Sequence, residues 1–158
     1  MSETARLVDQ LERGFRGDAW HGTALRTLLN GIDAASATRR PLPDAHTIWE
    51  LTGHITFWLN VVRRRLGGEV VVGRDGDDWI RVDAGTPAQW RDTLVALDAE
   101  HDRLVTAVRA LASGDLERSV PAMPYTNYVM LHGVLQHNLY HAGQIAMLVR
   151  SAGGRVPA

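Results

Sequence analysis

Apolar residues recur every three to four positions over four long stretches of this chain, the period of an amphipathic helix. The first covers residues 3–16, with Leu7, Leu11 and Phe15 on one stripe. Gly17-Asp18 and His21-Gly22 interrupt it. Helical spacing then resumes from Thr23 to Ile32 through Leu25, Leu28 and Leu29. Pro41 and Pro43 make Arg39–Asp44 a loop, because neither residue continues a helix. The second long helix starts at Thr47, where Thr47-Ile48-Trp49-Glu50 forms a capping box. Its inward stripe is Leu51, His54/Ile55, Trp58 and Val61/Val62, and it ends in Arg63-Arg64-Arg65 before Gly67-Gly68. Cations in a last turn suit the helix dipole, and glycine is a common terminator. That arginine run reads as a solvated helix end, with an anion site as the alternative.

Residues 69–85 break the period. Val70-Val71-Val72 suggests a short strand, and Trp79 stands in a polar setting, either as a lid over a pocket or as an anchor to the core. The third helix opens at Thr86-Pro87-Ala88-Gln89, with a capping threonine, proline at the first helical position and glutamine closing the box. Its stripe runs Trp90, Leu94, Leu97, His101, Leu104, Val108 and Leu111, and Ser113-Gly114-Asp115 ends it. Pro121 and Pro124 mark 117–125 as a connector. The fourth helix runs from Thr126 or Asn127 to Ser151, with Met130, Val134, His137, His141, Ile145 and Leu148 inward. Four such segments predict an all-α four-helix bundle in one domain spanning 1–158.

Composition narrows the function classes. Eighteen acidic against 17 basic residues leave a net charge of −1, which argues against nucleic-acid or membrane-surface binding. There is no cysteine, so disulfides, thiolate ligands and a cysteine nucleophile are excluded. No apolar run reaches the ~18 residues of a membrane span, and no signal peptide follows the first residues, so the expected location is the cytoplasm.

The histidines carry the candidate chemistry. His137 and His141, four apart on a helix, stack on one inward face within reach of a single ion. His54 lies on the inward stripe of the second helix, about two turns past Thr47. Suitable packing of the two helices brings all three together. Three core-facing imidazoles would each need a buried partner, whereas one metal ion satisfies all three.

Ile48-Trp49-Glu50-Leu51, His54-Ile55 and Trp58, together with Leu131-His132-Gly133-Val134, His137 and Tyr140-His141-Ala142-Gly143-Gln144-Ile145, resemble the DinB-like superfamily. Ala19-Trp20-His21-Gly22 and the early leucine-rich helix resemble its DinB/YfiT-type branch. The resemblance covers nearly the whole chain. It implies an up-down-down-up bundle, often dimeric, with a metal held by His54, His137 and His141. It also implies a metal-dependent transferase or isomerase that uses a low-molecular-weight thiol.

Three neutral imidazoles leave a divalent ion its full charge and open positions, as in catalytic sites. Such an ion lowers the pKa of bound water to ~7 or ionises a thiol. Zinc is the default, and nickel and iron accept the same donors. The expected function is conjugation of an external thiol to a small electrophilic substrate. A metal-dependent hydrolase and a non-catalytic binding bundle are the alternatives, and a homodimer is expected from the resemblance. Glu50 is a second-sphere partner or base unless the capping box alone explains it. His101 is a fourth ligand, a proton carrier or a core histidine. Gln144 orients a ligand or packs between helices. Trp20, His21, Trp58 and Tyr140 are candidates for the pocket mouth, while His46 and His132 carry no functional reading.

Overall fold

The capping boxes read from the sequence at Thr47 and Thr86 do begin two of the long helices. In the computed structural model, which describes residues 1–72, 76–112 and 114–156, helix α1 spans Glu3–Arg16 and starts with the Ser2 side chain accepting from Ala5 N. Two short helices follow, α2 (Leu25–Leu29) and α3 (Ala34–Thr38). Helix α4 (Ile48–Leu66) carries the complete Thr47/Glu50 capping box, and α5 (Pro87–Arg109) carries the Thr86/Gln89 box with Pro87 behind its cap. Helix α6 (Asn127–Ser151) starts at Thr126, whose hydroxyl accepts from Val129 N. The described residues are all-helical, with only an isolated bridge between Ser119 and Thr126 in extended pairing.

Two helix ends, one short helix and one expected strand differ from the sequence reading. The helix expected over 23–32 stops at Leu29, because Asn30 is extended and Gly31 turns the chain at φ +78°. Asp33 then starts α3 by accepting from Ser36 N at 2.8 Å. Helix α5 ends at Arg109, four residues before the expected Ser113 stop, and Ser113 itself lies outside the described residues. Val70–Val72 forms no strand. The carbonyl of Val71 is taken by the Arg65 guanidinium instead of a strand partner.

Side-chain contacts fix how the long helices run. Trp49 meets Trp90 and Arg63 meets Glu100, so α4 and α5 are parallel. His54 meets His137 while Arg65 meets Tyr125, so α4 and α6 are antiparallel. Glu3 lies near His132 and Gly14 backs onto Leu135 and Leu139, so α1 runs parallel to α6. Both α1 and α4 pack against α5 and α6, which places α5 diagonally across from α6. The core between them is one continuous cluster, with Leu7, Leu51, Ile55, Leu59, Leu97, Leu104, Leu131 and Ile145 fully buried. Each such side chain contributes about 1.5–3 kcal/mol of transfer free energy. Among the described residues no helix is long and apolar enough to cross a membrane.

Candidate metal centre

The antiparallel pairing of α4 and α6 places the second turn of α4 beside the middle of α6. Leu51, Ile55 and Leu59 hold α4 to the core, and His54, beside Ile55 in the chain, lies against α6. On α6, His137 and His141 are one turn apart, with Val134 and Ile145 anchoring the same helix. His54 Nε2 lies 2.9 Å from His137 Nε2, which lies 3.1 Å from His141 Nε2. Among the described residues, these three form the one group of metal-ligating side chains that converges so closely.

The remaining ring nitrogens determine what the convergent ones are. His54 Nδ1 donates to the Asp78 carbonyl at 3.0 Å, and His141 Nδ1 donates to Gln144 Oε1 at 2.6 Å. A neutral imidazole that donates from Nδ1 presents a lone pair at Nε2. Two lone pairs therefore point at His137 Nε2. A proton on that atom serves only one of them, whereas a divalent cation satisfies all three. Tetrahedral bonds of about 2.0–2.1 Å put imidazole nitrogens roughly 3.3 Å apart, so opening the cluster by a few tenths of an ångström admits the ion. The donor set fits a metal such as zinc. Electrostatics agree: burial lowers the pKa of His54 and of His141, and burial reinforced by His141 and His54 pushes His137 down to about 4. All three are neutral near pH 7, the state that ligates.

A loop segment completes the centre. Trp79 stacks flat on His54 with centroids 3.8 Å apart, and His46 stacks on the other face of Trp79 at 3.5 Å. Trp58 Nε1 donates to Asp78 Oδ2 at 3.2 Å. Asp78 thus ties the loop to two residues of α4 and sets the His54 tautomer. A cavity of about 300 Å³ opens beside His137, bounded by Trp58, Val62, Arg65, Tyr125 and Met130. A second, of about 570 Å³, lies toward His46, Tyr140, Gln144 and Leu148.

The other residues singled out from the sequence divide clearly. Gln144 orients His141, and Tyr140 packs its ring 5.1 Å from the same imidazole. Trp58 walls the first cavity. Glu50 does not reach the triad. Its carboxylate accepts from Thr47 N at 2.9 Å, Arg40 Nη2 at 2.6 Å and Val82 N at 3.1 Å. Burial opposes the Glu50 charge, but Arg40 and these amides outweigh it and hold the carboxyl below its usual range. Glu50 therefore joins the 80s loop to the start of α4.

His101 is also absent from the triad, because α5 is diagonal to α6 and His101 lies level with Arg63 at the far end of α4, turned toward α1. Its ring stacks on Phe15 at 3.7 Å, and its Nε2 is 3.4 Å from Glu12. Trp20 is fully exposed and His21 is exposed, both over the α1–α6 groove near Leu135 and Leu139, not at the mouth of the triad. Asp18 adopts φ +54° after Gly17, and Arg13 holds its carbonyl at 3.2 Å, which sets the turn that places them there.

Sequence reasoning missed Asp78 and the role of His46. Asp78 sits 24 positions beyond His54 in an aperiodic stretch, and no local pattern links the two. The one available signal was an aromatic residue, Trp79, in an otherwise polar segment.

No curated protein matches the chain. A crystal structure of a conserved protein from Enterococcus faecalis superposes with a TM-score of 0.75, covering 98% of this chain and 99% of that one at 16% identity, a likeness of fold. The family model of the DinB superfamily matches residues 19–145, a span that contains all three convergent histidines. By that match the chain belongs to the DinB superfamily.

Proposed function

We propose that this protein is a metal-dependent enzyme that transfers a low-molecular-weight thiol to a small electrophile, with His54, His137 and His141 holding the ion. The observation that carries the reading is the convergence of three neutral imidazoles with no carboxylate among them, beside a cavity. An all-imidazole set leaves a divalent ion its full charge, and such an ion supplies a Lewis acid able to ionise a thiol or water near neutral pH. Zinc suits the site first, with nickel and iron(II) as alternatives. The chain has no cysteine, so the sulfur must come from outside.

The protein's own residues supply position and shelter. Asp78 and Gln144 fix the His54 and His141 rings through their Nδ1 atoms. Trp79 covers one face of His54 and keeps water from it. Trp58 and His137 form the wall along which an electrophile reaches the centre.

The test is conjugation of an electrophile with a panel of bacterial thiols, comparing metal-loaded protein, metal-stripped protein and His54→Ala. The expected result is thiol-dependent turnover in the loaded protein alone. Equal rates in all three samples for every thiol overturn the reading. Turnover of an ester without thiol indicates a hydrolase, and tight metal with no turnover indicates a binding bundle. Either result replaces the transferase.

A further inference from the structure

Three consecutive arginines close α4, and they meet different fates. Arg63 pairs with the buried Glu100 at 3.1 Å, and Arg64 pairs with Glu69 toward solvent. Arg65 turns inward and is only 6% exposed. Its Nε and Nη2 donate to the Val71 carbonyl at 3.0 and 2.7 Å, and its Nη1 donates to the Tyr125 hydroxyl at 2.9 Å. The guanidinium lies 5.8 Å from the centre of the Trp58 ring. A guanidinium carries five N–H groups, and these contacts use three. All its partners among the described residues are neutral. A buried cation whose partners among the described residues are all neutral attracts an anion strongly, because burial without a counter-charge is costly.

The place for that anion is the 300 Å³ cavity, which Arg65 and His137 both line. Its other walls include Val62, Met130 and Val134, which suit an apolar body. A guanidinium with two N–H groups that no described residue takes matches the two oxygens of a carboxylate. A phosphate dianion would call for a second cation in the cavity lining, and among the described residues Arg65 is the only arginine there.

We propose that this cavity binds a small organic acid, with its carboxylate on Arg65 and its apolar part directed toward His137. The inference deepens the proposed function by naming the substrate class, and it rests on that reading for the claim that the acid reacts at the triad. Binding at Arg65 requires no metal.

The experiment is calorimetric titration of 3-phenylpropanoate and 3-phenylpropanamide into metal-loaded and metal-stripped protein. It is repeated with Arg65→Gln, Gly133→Asp and Gly133→Asn. Gly133 lines the cavity, and a Cβ there meets no atom within 4 Å, so both substitutions start into open space and the aspartate tethers a competing carboxylate. The acid is expected to bind at least about tenfold tighter than the amide, with or without metal, the scale of charge-assisted hydrogen bonds. Arg65→Gln and Gly133→Asp should abolish the preference, and Gly133→Asn should keep it. If Arg65→Gln does not fold, the Gly133 pair decides.

Equal binding of acid and amide by the wild type overturns the proposal. A preference that survives Arg65→Gln but vanishes on metal removal also overturns it, placing the carboxylate on the ion and leaving the metal reading intact. A preference kept by a wild type that takes up no metal supports the Arg65 site and removes the metal reading.

Discussion

Replacing Gln144 with alanine keeps all three imidazoles and removes the amide whose oxygen accepts from His141 Nδ1 at 2.6 Å. That contact performs two tasks. It selects the tautomer whose lone pair sits on Nε2, and it holds the ring so that Nε2 stays 3.1 Å from His137 Nε2. Without it the ring is free to rotate and to shift its proton, and both changes must be reversed when the ion binds. Losing such an outer partner typically costs 10–100-fold in metal affinity. This corresponds to about 1.4–2.7 kcal/mol. The contact is short and His141 is buried, which favours the upper half of that range. The assay is a zinc competition titration against a chromophoric chelator at pH 7.5, with the fold monitored by circular dichroism. Tyr140→Phe is the control, since its hydroxyl touches Gln144 only at 3.5 Å. An unchanged zinc affinity in a folded Gln144→Ala protein would refute the argument that this side chain positions the ligand.

His137→Ala and His141→Ala each leave two ligands, so elemental analysis of protein purified without a nickel column should show close to one metal per wild-type chain and little in either variant; full occupancy in both would remove the assignment. Gly85→Ala should destabilise the fold by about 1–3 kcal/mol through overpacking, because its Cβ would overlap the Trp49 ring, and an unchanged melting temperature would contradict that packing. Burial keeps the His101 pKa below 6.5, so the unfolded chain takes up that proton first. The stability linked to His101 is therefore present above pH 6.5 and lost as pH falls toward the folded value. His101→Gln should flatten the acid side of the stability profile, and parallel wild-type and variant profiles would count against a buried neutral His101.

Much of this molecule was determined by local sequence. The boxes at Thr47/Glu50 and Thr86/Gln89 involve residues three apart, so their helix starts were legible without any tertiary information. The four-residue spacing of His137 and His141 likewise settled that the two rings share a face. Terminators were read less well, because Leu29 and Arg109 end their helices ahead of the residues that spacing favoured. Which helices touch was a matter for the whole chain. Helix α5 lies diagonal to α6, and His101 sits level with the end of α4 and faces α1, which kept it from the centre although its stripe position resembled that of His54. The same long-range packing brought Asp78 to His54, laid Trp79 between two imidazoles and turned Arg65 inward while Arg64 paired at the surface. Helix caps and facial spacing depend on a few adjacent residues, whereas a loop's partner or a side chain's burial depends on surfaces contributed by segments tens of residues away, and these exist only once the bundle has closed.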